Sequence, residues 1–146
     1  MNIWDLEMIL QMSDRVVYLN EELRMNMEEK NNLIVDKSFA FAVDIVNFVK
    51  QMQNVDKEFV LSKQLLKSST SIGANINEAQ YAQSNADFIS KMSIALKETN
   101  ETCYWLKLLN KTDFLDDNHY NQFNSSVNDI KHILIAIIKN SKSKLK

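Results

Sequence analysis

The sequence predicts an all-α protein, an antiparallel up-down-up-down left-handed four-helix bundle with an extra N-terminal helical segment. Three observations carry this. The chain holds no proline and one glycine in 146 residues, so the tight turns of hairpins and sandwiches have almost no material. Apolar residues recur at steps of three and four through four long stretches, the spacing of amphipathic helices. The stretches are joined by short connections, which make consecutive helices antiparallel. With 45% hydrophobic residues, the length suits one domain with a sizeable core.

Residues 1–30 read as an N-terminal helical extension and residues 31–146 as the bundle domain. In the extension, Ile9, Met12, Val16, Leu19 and Leu23 keep helical spacing. Its acidic residues outnumber its basic ones by four, which leaves +2 on the bundle within a total of −2. The near-neutral bundle lacks the dense basic face of a dedicated nucleic-acid domain.

The first bundle helix is predicted over Leu33 to Gln53, with Asn31-Asn32 offering its N-cap. It carries two apolar stripes, one of Val35, Phe39, Ala42, Val46 and Val49 and one of Phe41, Ile45, Phe48 and Met52. A monomeric bundle needs one buried face per helix, so Phe41 and Phe48 become candidates for a subunit interface. Gln53 to Asp56 reads as a turn, with Asp56 capping a second helix over Lys57 to Ala82. Ser84 and Asp87 resemble a capping box that opens a third helix running to Lys111. Lys111 to Asp117 forms the last turn. In the fourth helix Tyr120, Phe123, Val127, Ile130, Leu134 and Ile137 keep the same rhythm, and the chain ends in the lysine-rich run Lys139, Lys142, Lys144 and Lys146.

The most informative run is Ser71-Ile72-Gly73-Ala74-Asn75-Ile76-Asn77-Glu78-Ala79. Glycine inside a helix costs about 1 kcal/mol against alanine, so Gly73 needs an offset. With Ala74 it makes a notch that lets a neighbouring helix approach closely. Ser71, Gly73, Ala74, Asn75 and Glu78 are accordingly a structural motif. Ser68, Ser71, Asn75 and Glu78 share a polar face that Lys97, Glu98 and Glu101 can meet from the third helix, in a network within the bundle or between subunits.

No catalytic, cofactor-binding or metal-ligating set emerges. A di-iron bundle needs Glu-x-x-His pairs, and no glutamate here has a histidine three residues later. Asp116 and His119 have ligand-like spacing, but with no companion they read as a helix-start capping pair. Cys103 lacks a basic neighbour and reads as a structural thiol. A single glycine rules out phosphate-binding loops. Apolar runs fall short of the roughly 18 residues of a membrane span, and the acidic N-terminus differs from a signal peptide. A cytoplasmic protein is expected, with neither a small-molecule substrate nor a membrane as partner. Tyr104 and Trp105 read as core or subunit-interface aromatics rather than as a base-stacking platform, which normally lies in a basic groove.

Asp36 to Ala42, Leu65 to Ser68, Ser71 to Ile76 with Glu78-Ala79, Asp87-Phe88, Ile94 to Glu98, Glu101-Thr102 and Tyr104 to Leu106 stand together in one order. Over Leu33 to Lys139 the chain resembles the four-helix bundle family of 23S rRNA intervening sequence proteins. That family is related in fold to the accessory protein of diversity-generating retroelements, which binds RNA and a reverse transcriptase. The resemblance implies a four-helix monomer, a ring-like homopentamer, no enzymatic activity, and RNA or a nucleoprotein as partner. Lys139, Lys142, Lys144 and Lys146 would make the nucleic-acid contacts, against the plainer reading of a solubilising end. The alternative is a protein-only oligomeric scaffold. Lys67 stands where relatives often carry arginine, which removes bidentate geometry toward phosphate.

Overall fold

A computed structural model describes residues 25–145, together with Ile9 and Met12. The N-terminal segment read through Val16, Leu19 and Leu23 lies outside the described residues, as does Lys146. Four helices follow in order: α1 (Met27–Val55), α2 (Leu61–Ala79), α3 (Asn85–Lys111) and α4 (Asp117–Ser143). Among the described residues α1 packs on α2 and α4, and α3 packs on α2 and α4, with no close backbone approach across either diagonal. The result is the four-helix arrangement expected from the spacing.

The helix starts show how local chemistry sets the boundaries. At α1 the Asn26 side chain accepts from the Glu29 amide at 2.8 Å, and the Glu29 carboxylate accepts from the Asn26 amide at 3.2 Å. This reciprocal box starts the helix ahead of the expected Asn31-Asn32 cap, so Met27 to Lys30 belong to α1. Asp56, expected to cap α2, instead closes α1 through its amide to the Met52 carbonyl at 2.9 Å. Lys57 then takes φ 55°, and Glu58 does the capping. Its Oε1 accepts from the amides of Val60 and Leu61 at 3.0 and 2.8 Å, and its Oε2 from that of Ser62 at 2.7 Å. The second helix is therefore shorter than Lys57 to Ala82 at both ends.

Ser84 caps α3 as expected, accepting from the Asp87 amide at 3.1 Å. The reciprocal arm goes one residue earlier, where Asp87 accepts from the Gln83 amide at 3.2 Å. Asp116 caps α4 by accepting from the His119 amide at 2.8 Å.

Inside the bundle, Ile45, Leu65, Ile72, Met92, Leu106 and Leu134 are fully buried, each such side chain stabilising the fold by roughly 1.5–3 kcal/mol. The two stripes on α1 separate here. Phe41 is 2% exposed and meets Phe123 of α4 edge-on at 6.5 Å, and half-buried Phe48 packs on the same ring at 5.5 Å. Phe41 is therefore buried in the α1–α4 seam of one protomer, which corrects its expectation as an outer-interface residue, while Phe48 packs on the same seam and keeps part of its surface exposed. Of the other stripe, Phe39 is 71% exposed and Val35, Ala42 and Val46 are half-buried, whereas Val49 joins the core.

Candidate interaction surfaces

Gly73 sits against Ser38 of α1. A Cβ added there would lie 3.5 Å from the Ser38 carbonyl oxygen and hydroxyl, an ordinary contact distance. The notch thus brings two backbones together with room left for one methyl group. Its outer side opens into a groove of about 570 Å³ between α1 and α2, where Val35, Phe39 and Ala42 face Thr70, Gly73 and Ala74.

The polar face of α2 does not form one network. Ser71 donates to the Lys67 carbonyl at 2.6 Å, and Asn75 to the Ser71 carbonyl at 2.8 Å, so both turn back on their own helix. Glu78 pairs with Lys91 at 3.1 Å rather than with Lys97. Ser68 also crosses to α3, accepting from the Thr102 hydroxyl at 3.0 Å. These bonds satisfy the polar groups within the protomer.

On α3, Tyr104 is 60% exposed and stands edge-on to Trp105 with ring centroids 5.0 Å apart. The Trp105 indole N–H donates to Glu101 at 3.2 Å, fixing the pair one turn along the helix. The same helix exposes Ile94, and the connection between α1 and α2 exposes Val55, Phe59 and Val60. Sequence reasoning placed this turn at Gln53 to Asp56 and missed its exposed apolar residues. The cluster of apolar types between helices was its available signal.

The described part of the lysine run, Lys139, Lys142 and Lys144, is not a loose tail. Lys139 and Lys142 lie on α4, Lys144 is its C-cap, and buried Ser141 between them accepts from Asn85 of α3 at 3.0 Å. The antiparallel order brings Glu28 of α1 to the same recess as Lys144, so a run without acid in sequence meets acid in space. As cations at a helix C-terminus, these lysines also complement the helix dipole.

His119 and Asp116 form the capping pair already described, with Nδ1 and Oδ2 2.6 Å apart. Backbone donation from His119, then its side chain, holds the Asp116 carboxyl below its usual range. Among the described residues no three His, Cys, Asp or Glu side chains gather as metal ligands. Burial pushes the thiol of half-buried Cys103 above its ordinary value, partly opposed by Lys131, which makes it a poor nucleophile. No described helix is long and apolar enough to cross a membrane.

These features define a helical bundle whose notable chemistry lies on open surfaces rather than in an enclosed polar site. Residues 30–136 match the model of the 23S rRNA-intervening sequence protein family. The chain belongs to that family. It is similar to a crystal structure from Bacteroides thetaiotaomicron, described as a protein with unknown function from the S23 ribosomal protein family. Identity is 55% with a TM-score of 0.74, covering 75% of this chain and 98% of that one. No curated protein matches the chain.

Proposed function

We propose that this chain is a non-catalytic helical module that assembles with copies of itself and presents the assembly to a macromolecular partner. The observation that carries this reading is the Tyr104–Trp105 pair. An aromatic pair locked by an indole hydrogen bond yet 60% exposed at Tyr104 is the pre-organised, amphipathic anchor that protein interfaces favour. Tyr104 on α3 and the Val55, Phe59, Val60 tip are different patches of one protomer, as a head-to-tail ring requires. Five subunits is the ring size suggested by the family resemblance.

Light scattering after gel filtration tests it. The expected mass is a multiple of 17.0 kDa, and Tyr104→Lys reduces it while leaving helicity intact. A parent mass of one chain at micromolar concentration overturns the reading.

A second reading, RNA or a nucleoprotein as the partner of the assembly, is favoured by the exposed Lys139, Lys142 and Lys144 and by the family's description. Glu28 beside Lys144 weighs against a purely basic surface, so the protein-only scaffold is the reading the geometry supports better. Retention of nucleic acid by purified protein, read from the 260 to 280 nm absorbance ratio and lost in high salt, would reverse that order.

A further inference from the structure

The side of the bundle made by α1 and α2 presents apolar and aromatic side chains to its exterior. Its groove has Phe39 at 71% exposure on one wall and Gly73 and Ala74, which project almost no side chain, on the other. Val43 follows on the same side of α1 at 44% exposure, and Tyr81, just past the end of α2, is 82% exposed. Opposite charges stand near the two ends of α1, Glu28 at one and Lys50 at the other, both exposed. We propose that this face pairs with the same face of a second copy of the chain, about a two-fold axis passing at Phe39, with the two α1 helices antiparallel and each Phe39 ring seated over the partner's Gly73 and Ala74.

The register supports a second copy over any other occupant. In an antiparallel pair of helices, residues lying level with each other have numbers of constant sum. With Phe39 on the axis, Val35 falls level with the partner's Val43, and Glu28 with the partner's Lys50. Apolar side chains thus meet across the middle, and a pair of opposite charges stands at each end, one from each half of the contact. A surface complementary to itself in this way is what a two-fold contact requires. The spacing of Val35, Phe39 and Val43 in steps of four keeps all three on one side of α1.

The second helix keeps the same register. Gly73 lies against Ser38, and Asn31 and Gln80 exchange side-chain hydrogen bonds, so one antiparallel offset relates α1 to α2 at both places. Carried through the axis, that offset sets Ala74 level with the partner's Thr70, and Tyr81 level with the partner's Lys63. Small side chains in the middle let the two α2 helices approach. At the margin the Lys63 ammonium meets an exposed aromatic ring, a favourable cation–π arrangement. Aromatic and apolar groups at the centre with charge at the rim match the anatomy of protein interfaces. Tyr104 on α3 and the Val55 tip lie off this face, so the contact goes beyond the head-to-tail assembly proposed above. It joins one such assembly to another instead of extending a ring.

Cross-linking of the full chain, in a Cys103→Ser background, tests it. A single cysteine at a two-fold axis meets its own copy. Phe39→Cys is therefore expected to form a disulfide-linked dimer at least tenfold faster than Asp44→Cys, which is exposed on the α4 side of the same helix. Equal rates overturn the proposal and leave the groove to a helix of another protein. Light scattering gives a second measure that no cysteine disturbs. In Tyr104→Lys, which removes the head-to-tail contact, the expected mass is that of two chains, and adding Phe39→Glu lowers it to the 17.0 kDa of one. A mass of one chain in Tyr104→Lys overturns the two-fold contact and leaves the ring standing. A parent mass of two chains that falls to one in Phe39→Glu supports the two-fold contact and overturns the ring.

Discussion

Thr102 Oγ1 donates to Ser68 Oγ at 3.0 Å in the buried seam between α2 and α3. Both hydroxyls also bond carbonyls of their own helices, Thr102 to Glu98 at 2.8 Å and Ser68 to Leu65 at 3.3 Å. Two polar side chains at core positions are thereby satisfied without water, and they fix the rotation of one helix against the other.

Thr102→Val removes the donor while keeping the shape. It should cost about 0.5–1.5 kcal/mol, because Ser68 keeps its bond to Leu65. Urea unfolding of the single variants and of the double variant with Ser68→Ala measures the coupling. A double variant that loses less than the sum of the two singles is the expected result.

Gly73→Ala should be neutral or stabilising by up to about 1 kcal/mol. The added methyl group meets Ser38 at 3.5 Å, which costs nothing, while the helix gains propensity. A thermal melt should show a midpoint equal to the parent's or a few degrees higher.

Phe41→Ala should destabilise the fold by about 3–5 kcal/mol, since the ring is 2% exposed and packs on Phe123. Its role lies inside one protomer. The loss measured by urea titration should therefore not change with protein concentration, as a loss at a subunit interface would.

Glu58 gives a pH signature. Burial alone raises its pKa, but the amides of Leu61, Ser62 and Val60 outweigh burial and hold the carboxyl below its ordinary 4.5. Folding is therefore favoured by the ionised form. That contribution is fully present above pH 4.5 and is lost as pH falls through the lower folded value. Glu58→Gln should be less stable than the parent at pH 7, by about 1 kcal/mol for this partly exposed cap. The gap should close as urea titrations are moved to lower pH.

What the sequence disclosed follows from where its signals are redundant. The third and fourth helices were legible in full because Phe88 through Leu109 and Tyr120 through Ile137 repeat one spacing, and Ser84 marks a start. The α1–α2 connection was not legible. Its turn rests on Lys57 in a left-handed conformation, a role usually flagged by glycine, and its cap is a glutamate rather than the nearby aspartate. Both stripes of α1 are apolar, so composition could not say which one faces Phe123. The lysine run looked free of acid because Glu28 is distant in sequence and adjacent only after folding. Tyr104 and Trp105 were legible as aromatics outside the heptad, but the Glu101 bond that orients them depends on a rotamer that spacing does not specify.

The absence of close backbone approaches across the diagonals among the described helices bears on how the chain reaches this structure. Three of the four helix–helix seams join consecutive helices, so most of the contact network can form with short loop closures, and folding should be rapid. The α1–α4 seam differs, because it joins the two ends of the bundle through Phe41, Phe48 and Phe123 and the 3.7 Å pair of Lys37 with Asp129. Closing it brings together segments separated by most of the domain, at the largest entropic cost of any seam. It should therefore form last, so that substitutions there speed unfolding far more than they slow folding.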